Sequence, residues 1–154
     1  MKILVNITIA LIISSGNPLS LNAKNSLASG WYLITENKNS ISINLDNSDK
    51  TYKIEKNIFI SINHILSVEL ATARYSNKDN PILNFTLDND ARLKLASLSD
   101  GYGTRTEIGL IINSKLIQVS TLFGKFSGNK VSMTGKFTKE ELLKVKENID
   151  MEKG

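Results

Sequence analysis

The stretch SMTGKFTKEELLKV, residues 132–145, joins a short apolar run to a helical pattern. Its Gly-Lys pair could belong to a phosphate-binding loop or to a simple connection between a strand and a helix. A Walker-type loop needs a glycine, four further residues, Gly-Lys and then Ser or Thr. Gly128 lies too far before Gly135, and Lys136 is followed by Phe137, which cannot bind magnesium. The stretch therefore does not encode a phosphate loop.

The same stretch fits the start of a capped helix. The Thr138 hydroxyl can accept from the backbone N–H of Glu141, whose carboxylate can accept from the backbone N–H of Thr138, and this exchange is a capping box. An apolar stripe then continues at helical spacing through Leu142, Val145 and Ile149. We therefore predict a helix over residues 138–149.

The rest of the second half combines strands with one more helix. The predicted strands span residues 81–86, 108–112, 116–119 and 131–133. Asp88 stands at the N-cap of a predicted helix over 88–98, with Asp90 in the first turn, where the helix dipole favours anions. Asn113 and Ser114 separate two apolar alternating runs, which predicts a hairpin.

The first half, after an N-terminal segment, is rich in short strands. Ile41, Ile43 and Leu45 alternate with polar residues, the period-2 pattern of a half-buried strand. Further predicted strands lie at residues 30–34, 51–54, 58–62 and around 68–70. The polar run SNKDNP, residues 76–81, predicts a linker or long loop.

Together these patterns predict an α+β fold with a mixed or antiparallel sheet and the two helices packed on one face. We divide the chain into a signal peptide at 1–28, a strand-rich N-terminal region at 29–75 and a second unit at 81–150.

Residues 1–28 have the layout of a secretory signal peptide. Lys2 precedes a mostly apolar run over 3–13, which is too short for a bilayer span of about 20 residues. Ser26-Leu27-Ala28 is the best small-x-small cleavage site, and Ala23 is the alternative. We expect export to the periplasm or the cell exterior, with membrane contact only if the segment is retained as an amphipathic anchor.

The composition fits one globular domain: 154 residues are 41% hydrophobic and 22% charged. Of 19 basic residues, Lys2 and Lys24 leave with a signal peptide, so 17 face 15 acidic residues and the net charge falls from +4 to near +2. This weak charge, without an aromatic platform, predicts no nucleic-acid partner. The absence of cysteine excludes a disulfide framework, a lipidated cysteine and thiolate metal sites.

Chemistry-bearing residues are few. Gly101-Tyr102-Gly103 starts like a dinucleotide fingerprint, but position 106 is Thr and no strand leads directly into it. His64 is the only histidine, and we expect a partly exposed structural imidazole at a strand edge or turn. Asp88 and Asp90 could bind a cation, yet the helix start explains both. We therefore expect no enzyme, no cofactor and no metal.

Trp31 and Tyr32 are the two large aromatic residues at the start of the first strand. They could stack on a ligand, but aromatic residues in this position more often belong to the core. We expect core.

Three stretches of the second unit resemble the head subdomain of the first periplasmic domain of the SecD/SecDF family. They are NPILNFTLDNDARLKLASLS, GLIINSKLIQVS and VSMTGKFTKEELLKVKENI, within residues 81–149. The hairpin glycine of that family is Ser114 here, and no transmembrane bundle is visible in the sequence. The resemblance implies a head-like module that handles polypeptide, and the lack of a transmembrane bundle leads us to expect a stand-alone protein rather than a translocase subunit of the usual kind.

We therefore expect an exported, non-catalytic module that contacts polypeptide or a protein partner. The alternative is an inhibitor or immunity protein that neutralises one toxin or hydrolase in the envelope. An extended partner would add to an open strand edge. Our hypothetical edge consists of Lys115, Ile117, Val119 and Thr121.

Overall fold

The computed structural model describes residues 26–75, 78–98, 105–122 and 124–154. The strands are β1 Gly30–Leu33, β2 Ile41–Asn44, β3 Thr51–Ile54, β4 Ile60–Ser61, β5 Ile65–Tyr75, β6 Lys78–Leu87, β7 Thr106–Ile112, β8 Lys115–Leu122 and β9 Lys130–Met133. The helices are α1 Asn89–Leu98 and α2 Lys139–Lys153, and a 3-10 turn occupies Ile62–His64. The signal peptide predicted at 1–28 lies, up to residue 25, outside the described residues, as does Gly101-Tyr102-Gly103.

The strands form three sheets in which every strand pair is antiparallel. A four-stranded sheet has the order β4-β1-β7-β8, a three-stranded sheet the order β5-β6-β9, and β2 pairs with β3 alone. With its two helices the chain has the predicted α+β fold. Strands from both halves of the sequence occur in each of the two larger sheets.

The four-stranded sheet is covered on both faces. The first core lies between one face, the three-stranded sheet and both helices, and it includes Trp31, Leu83, Phe85, Ala91, Leu95, Leu110, Leu142, Val145 and Ile149. The second core lies on the opposite face under the β2–β3 hairpin, and it contains Tyr32, Ile54, Ile111 and Leu116. This double burial explains why β7 carries no polar side chain from Ile108 to Ile112.

Trp31 and Tyr32 are core residues, as predicted, and they point to opposite faces of β1. Trp31 joins the first core, where its ring meets Phe85 edge to face with centroids 5.3 Å apart. Tyr32 joins the second core. Neither aromatic ring is available to a ligand, since their exposed fractions are 4% and 2%.

Local helix and turn signals are confirmed. Thr138 accepts from the N–H of Glu141 at 3.2 Å, and the Glu141 carboxylate accepts from the N–H of Thr138 at 2.8 Å. Asp88 caps α1 by accepting from the N–H of Ala91 at 2.9 Å. Asn113 and Ser114 form the β7–β8 turn with φ of 50° and 61°.

Two predicted elements are wrong. The strand predicted over 58–62 is reduced to Ile60–Ser61, because the Ser61 hydroxyl accepts from the N–H of Asn63 and starts the 3-10 turn. The loop predicted over 76–81 is strand from Lys78 onward, paired with β5. Pro81 is tolerated there because it lies beyond the end of β9, where β6 has no described second neighbour.

Candidate functional site

The four residues of the hypothetical edge lie on β8, which is one of the two outer strands of the four-stranded sheet. A β-bulge interrupts its pairing with β7: Leu110 pairs with Gln118, but Ile111 pairs with Leu116, so Ile117 is the extra residue. The bulge turns Ile117 toward the first core, while Val119 packs against the second core. The four side chains therefore do not share one face.

The chain itself closes the first part of this edge. The N–H of Asp46 donates to the carbonyl of Leu116 at 2.7 Å, and Leu45 forms an isolated parallel bridge with Leu116. The carbonyl of Leu116 points away from β7, toward Asp46. Because backbone groups alternate in direction along a strand, this carbonyl shows which other backbone groups of β8 point away from β7. After the bulge, alternation turns the backbone groups of Val119 and Thr121 outward.

The outer edge of β8 is open after Leu116. Within the described part of the chain, no backbone group from outside the sheet bonds to Val119 or Thr121. Unpaired N–H and C=O groups in a row are a template for a further strand. Val119–Thr121 thus forms an open edge.

A groove of about 410 Å³ lies where the start of β8 meets α2. Its apolar lining consists of Ile112, Ile117, Phe137 and Val145. Its polar lining consists of Asp46, Asn47, Asn113, Lys115, Glu141, Lys144 and Asn148. An apolar floor with a polar rim suits one partly buried apolar side chain of a partner.

Much of the charge at the rim is already engaged. Lys115 and Asp46 face each other with Nζ and Oδ1 3.8 Å apart, and Glu141 is held in the capping box of α2. Because these charges already have partners within the chain, they contribute to the shape of the groove and do not favour a charged ligand. Lys115 and Ile117 thus line the groove, whereas Val119 and Thr121 form the open edge beyond it.

The hypothesis from sequence missed the contribution of α2. Phe137, Lys144 and Val145 line the groove beside β8. Of these three residues, Val145 belongs to the helical spacing of residues 142, 145 and 149, which predicts a buried stripe but not which strand it approaches. The sequence carries no local signal that places these residues beside β8, because their position depends on tertiary packing.

His64 and Asp88 form a half-buried pair that is structural in its contacts. The Nδ1 of His64 lies 2.8 Å from Oδ2 of Asp88, and the N–H of Asp88 donates to the carbonyl of His64 at 2.9 Å. An ionised carboxylate can only accept, so Nδ1 carries the proton. The pair joins the 3-10 turn to the start of α1, as expected for a structural imidazole.

The N–H of Ala91, first, and the imidazole of His64, second, lower the pKa of Asp88 below its usual value of 3.8. A depressed pKa in the folded state adds stability that is present above the ordinary pKa and is lost as the pH falls below it. The contribution of Asp88 should therefore disappear as the medium is acidified below about pH 4.

We expect Asp88→Asn to flatten the acid limb of the stability profile. The amide keeps an acceptor for Ala91 but carries no charge to titrate, so the urea midpoint should fall less between pH 5 and pH 3 than in the wild type. Asp49→Asn, which changes an exposed carboxylate in the β2–β3 turn, is the matched control. Parallel profiles for the wild type and Asp88→Asn would contradict this account of the cap.

Residues 26–75, 78–98, 105–122 and 124–154 contain neither a candidate metal site nor a candidate membrane-spanning helix. There, no three His, Asp or Glu side chains lie close enough together to hold a metal ion. No helix in this part of the chain has the length and apolar character needed to cross a membrane. The open edge and its groove are therefore the candidate binding surface.

No protein-family model matches the chain, and no curated protein matches it in sequence.

Proposed function

We propose that the protein is an exported, non-catalytic binding module that takes an extended polypeptide segment at β8. The observation that supports this most is the open edge after Leu116, directly beside a groove with an apolar floor. Strand addition uses backbone hydrogen bonds for affinity and side-chain pockets for selectivity. Both elements are present on one strand.

The added strand would begin where the chain's own strand fragment stops. Leu45 and Asp46 already occupy the position opposite Leu116, so a partner can extend only toward Thr121. Its backbone would bond to Val119 and Thr121. Side chains on one side of it would point toward the face that carries Ile117, where the groove begins.

The resemblance of residues 81–149 to the SecD/SecDF head supports this proposal by analogy, because in that family the head is implicated in handling emerging preproteins. Analogy of fold does not by itself carry function. The test must therefore be made on the open edge itself.

We expect Val119→Lys to weaken peptide binding about tenfold, because it places a charge on the open edge and disturbs backbone pairing worth about 1 kcal/mol per hydrogen bond. Val119 is only half-buried, so the lysine stem can lie along the surface while its ammonium stays in water. Thr121→Pro removes one outward N–H and should have a similar effect. Binding is measured by fluorescence anisotropy with 12-residue peptides tiled across exported proteins.

Ser42→Lys is the matched control, since it adds the same charge on an exposed position of β2. It should leave affinity unchanged, and circular dichroism should show all three variants folded. Equal affinity of wild type, Val119→Lys and Thr121→Pro would refute this choice of edge. If no peptide binds but one folded envelope protein binds stoichiometrically, the inhibitor or immunity function replaces the proposal.

A further inference from the structure

The three residues before β1 are bound into the fold rather than attached to it. The hydroxyl of Tyr32 donates to the carbonyl of Ala28 at 2.8 Å, and the hydroxyl of Ser114 donates to the carbonyl of Leu27 at 3.3 Å. The side chain of Leu27 is half-buried against the second core. Leu27 and Ala28 thus contact both β1 and the β7–β8 turn.

Ser29 bonds to three elements and is 5% exposed. Its hydroxyl donates to Oε1 of Glu152 at 2.6 Å and accepts from the N–H of Asn113 at 3.0 Å. Its carbonyl accepts from the N–H of Ile62 at 3.2 Å. The segment Leu27–Ser29 therefore ties together the 3-10 turn, the β7–β8 turn and the last turn of α2.

Cleavage after Ala28, the site with the best sequence pattern, would remove part of this arrangement. The Tyr32 hydroxyl, on a side chain 2% exposed, would lose its acceptor, and an unpaired buried polar group is costly. Leu27 would no longer cover the second core. A new ammonium group would also form at buried Ser29, where the Glu152 carboxylate offers a partner but replaces neither lost contact.

We infer that Leu27–Ser29 belongs to the mature domain and that the exported precursor is cleaved before Leu27. Ala23, the alternative cleavage position in the sequence, lies upstream of this segment. This inference rests on the export part of the proposed function. It replaces Ser26-Leu27-Ala28 as the expected processing site, because the fold retains two of those three residues in specific contacts.

The test uses the full chain with a C-terminal tag, produced in a bacterium that exports it, followed by fractionation and intact-mass measurement. The periplasmic product should begin at Leu27 or at an earlier residue. Ala28→Leu should be processed at the same position as the wild type, so the two products should differ in mass only by the substitution. The side chain of Ala28 is exposed, and a bulky residue there blocks only cleavage directly after it.

A product that begins at Ser29, with processing abolished by Ala28→Leu, would overturn the inference while leaving export intact. A periplasmic product with the full mass would also overturn it. Full-length protein confined to the cytoplasm would refute export itself, so the two failures are distinguishable. Peptide binding at the open edge is measured separately and does not depend on this result.

Discussion

Gly30→Ala is expected to lower the free energy of unfolding by at least about 3 kcal/mol, because it combines backbone strain with a clash. Gly30 has φ of 151°, a region that residues with a side chain rarely adopt. A Cβ atom here would lie 2.3 Å from the backbone carbonyl of Ile60 and 2.6 Å from Cδ1 of Ile58. The backbone of β4 would have to move away from β1.

The measurement is urea unfolding followed by circular dichroism. Gly128→Ala is the matched control, because an added Cβ would find its nearest neighbour, the N of Lys130, at 3.9 Å. That variant should be neutral or stabilised by up to about 1 kcal/mol, since alanine restricts the unfolded chain. Equal midpoints for Gly30→Ala and the wild type would show that the described β1–β4 contact does not form.

Trp31→Ala is expected to cost about 3–5 kcal/mol, the range for truncating a large buried aromatic residue. Trp31 is 4% exposed and meets Phe85 of the three-stranded sheet edge to face. Its loss would open a cavity between the two larger sheets, where little can collapse to fill it. The same urea titration measures the effect, by circular dichroism because the only tryptophan is removed.

Leu93→Ala is the matched control for this truncation. Leu93 is 50% exposed on α1, so its replacement should change stability by no more than about 0.5 kcal/mol. A cost for Trp31→Ala no larger than that for Leu93→Ala would contradict the position of Trp31 in the first core.

The parts of the fold that are encoded locally could be predicted from the sequence. The Thr138 capping box, the Asp88 cap and the Asn113–Ser114 turn each depend on side chains within four residues of one another. Their chemistry is therefore visible without the tertiary structure. The alternation of Ile41 and Ile43 likewise predicted β2.

The parts that depend on distant partners could not be predicted in this way. Lys78 joins β6 because β5 extends far enough to pair with it, which overrides the loop-like composition of residues 76–81. The bulge at Ile117 depends on how β7 and β8 align, so strict alternation along β8 does not hold. Tertiary pairing decides both cases.

The candidate site shows the same division. The hairpin signal at Asn113 and Ser114 placed the four hypothetical residues along its second strand, and that strand lies at a sheet edge. The closure of this edge at Leu116 by Asp46 involves residues 70 positions apart and has no local signal. The distinction between groove and open edge therefore came from the structure.

The most direct test of polypeptide binding is amide hydrogen exchange of the protein, measured by NMR with and without the tightest-binding peptide. The account predicts that the N–H groups of Val119 and Thr121 exchange fast in the free protein and become protected in the complex, because they bond to the added strand. Protection confined to another strand, or unchanged exchange at both residues in a saturated complex, would contradict strand addition at β8.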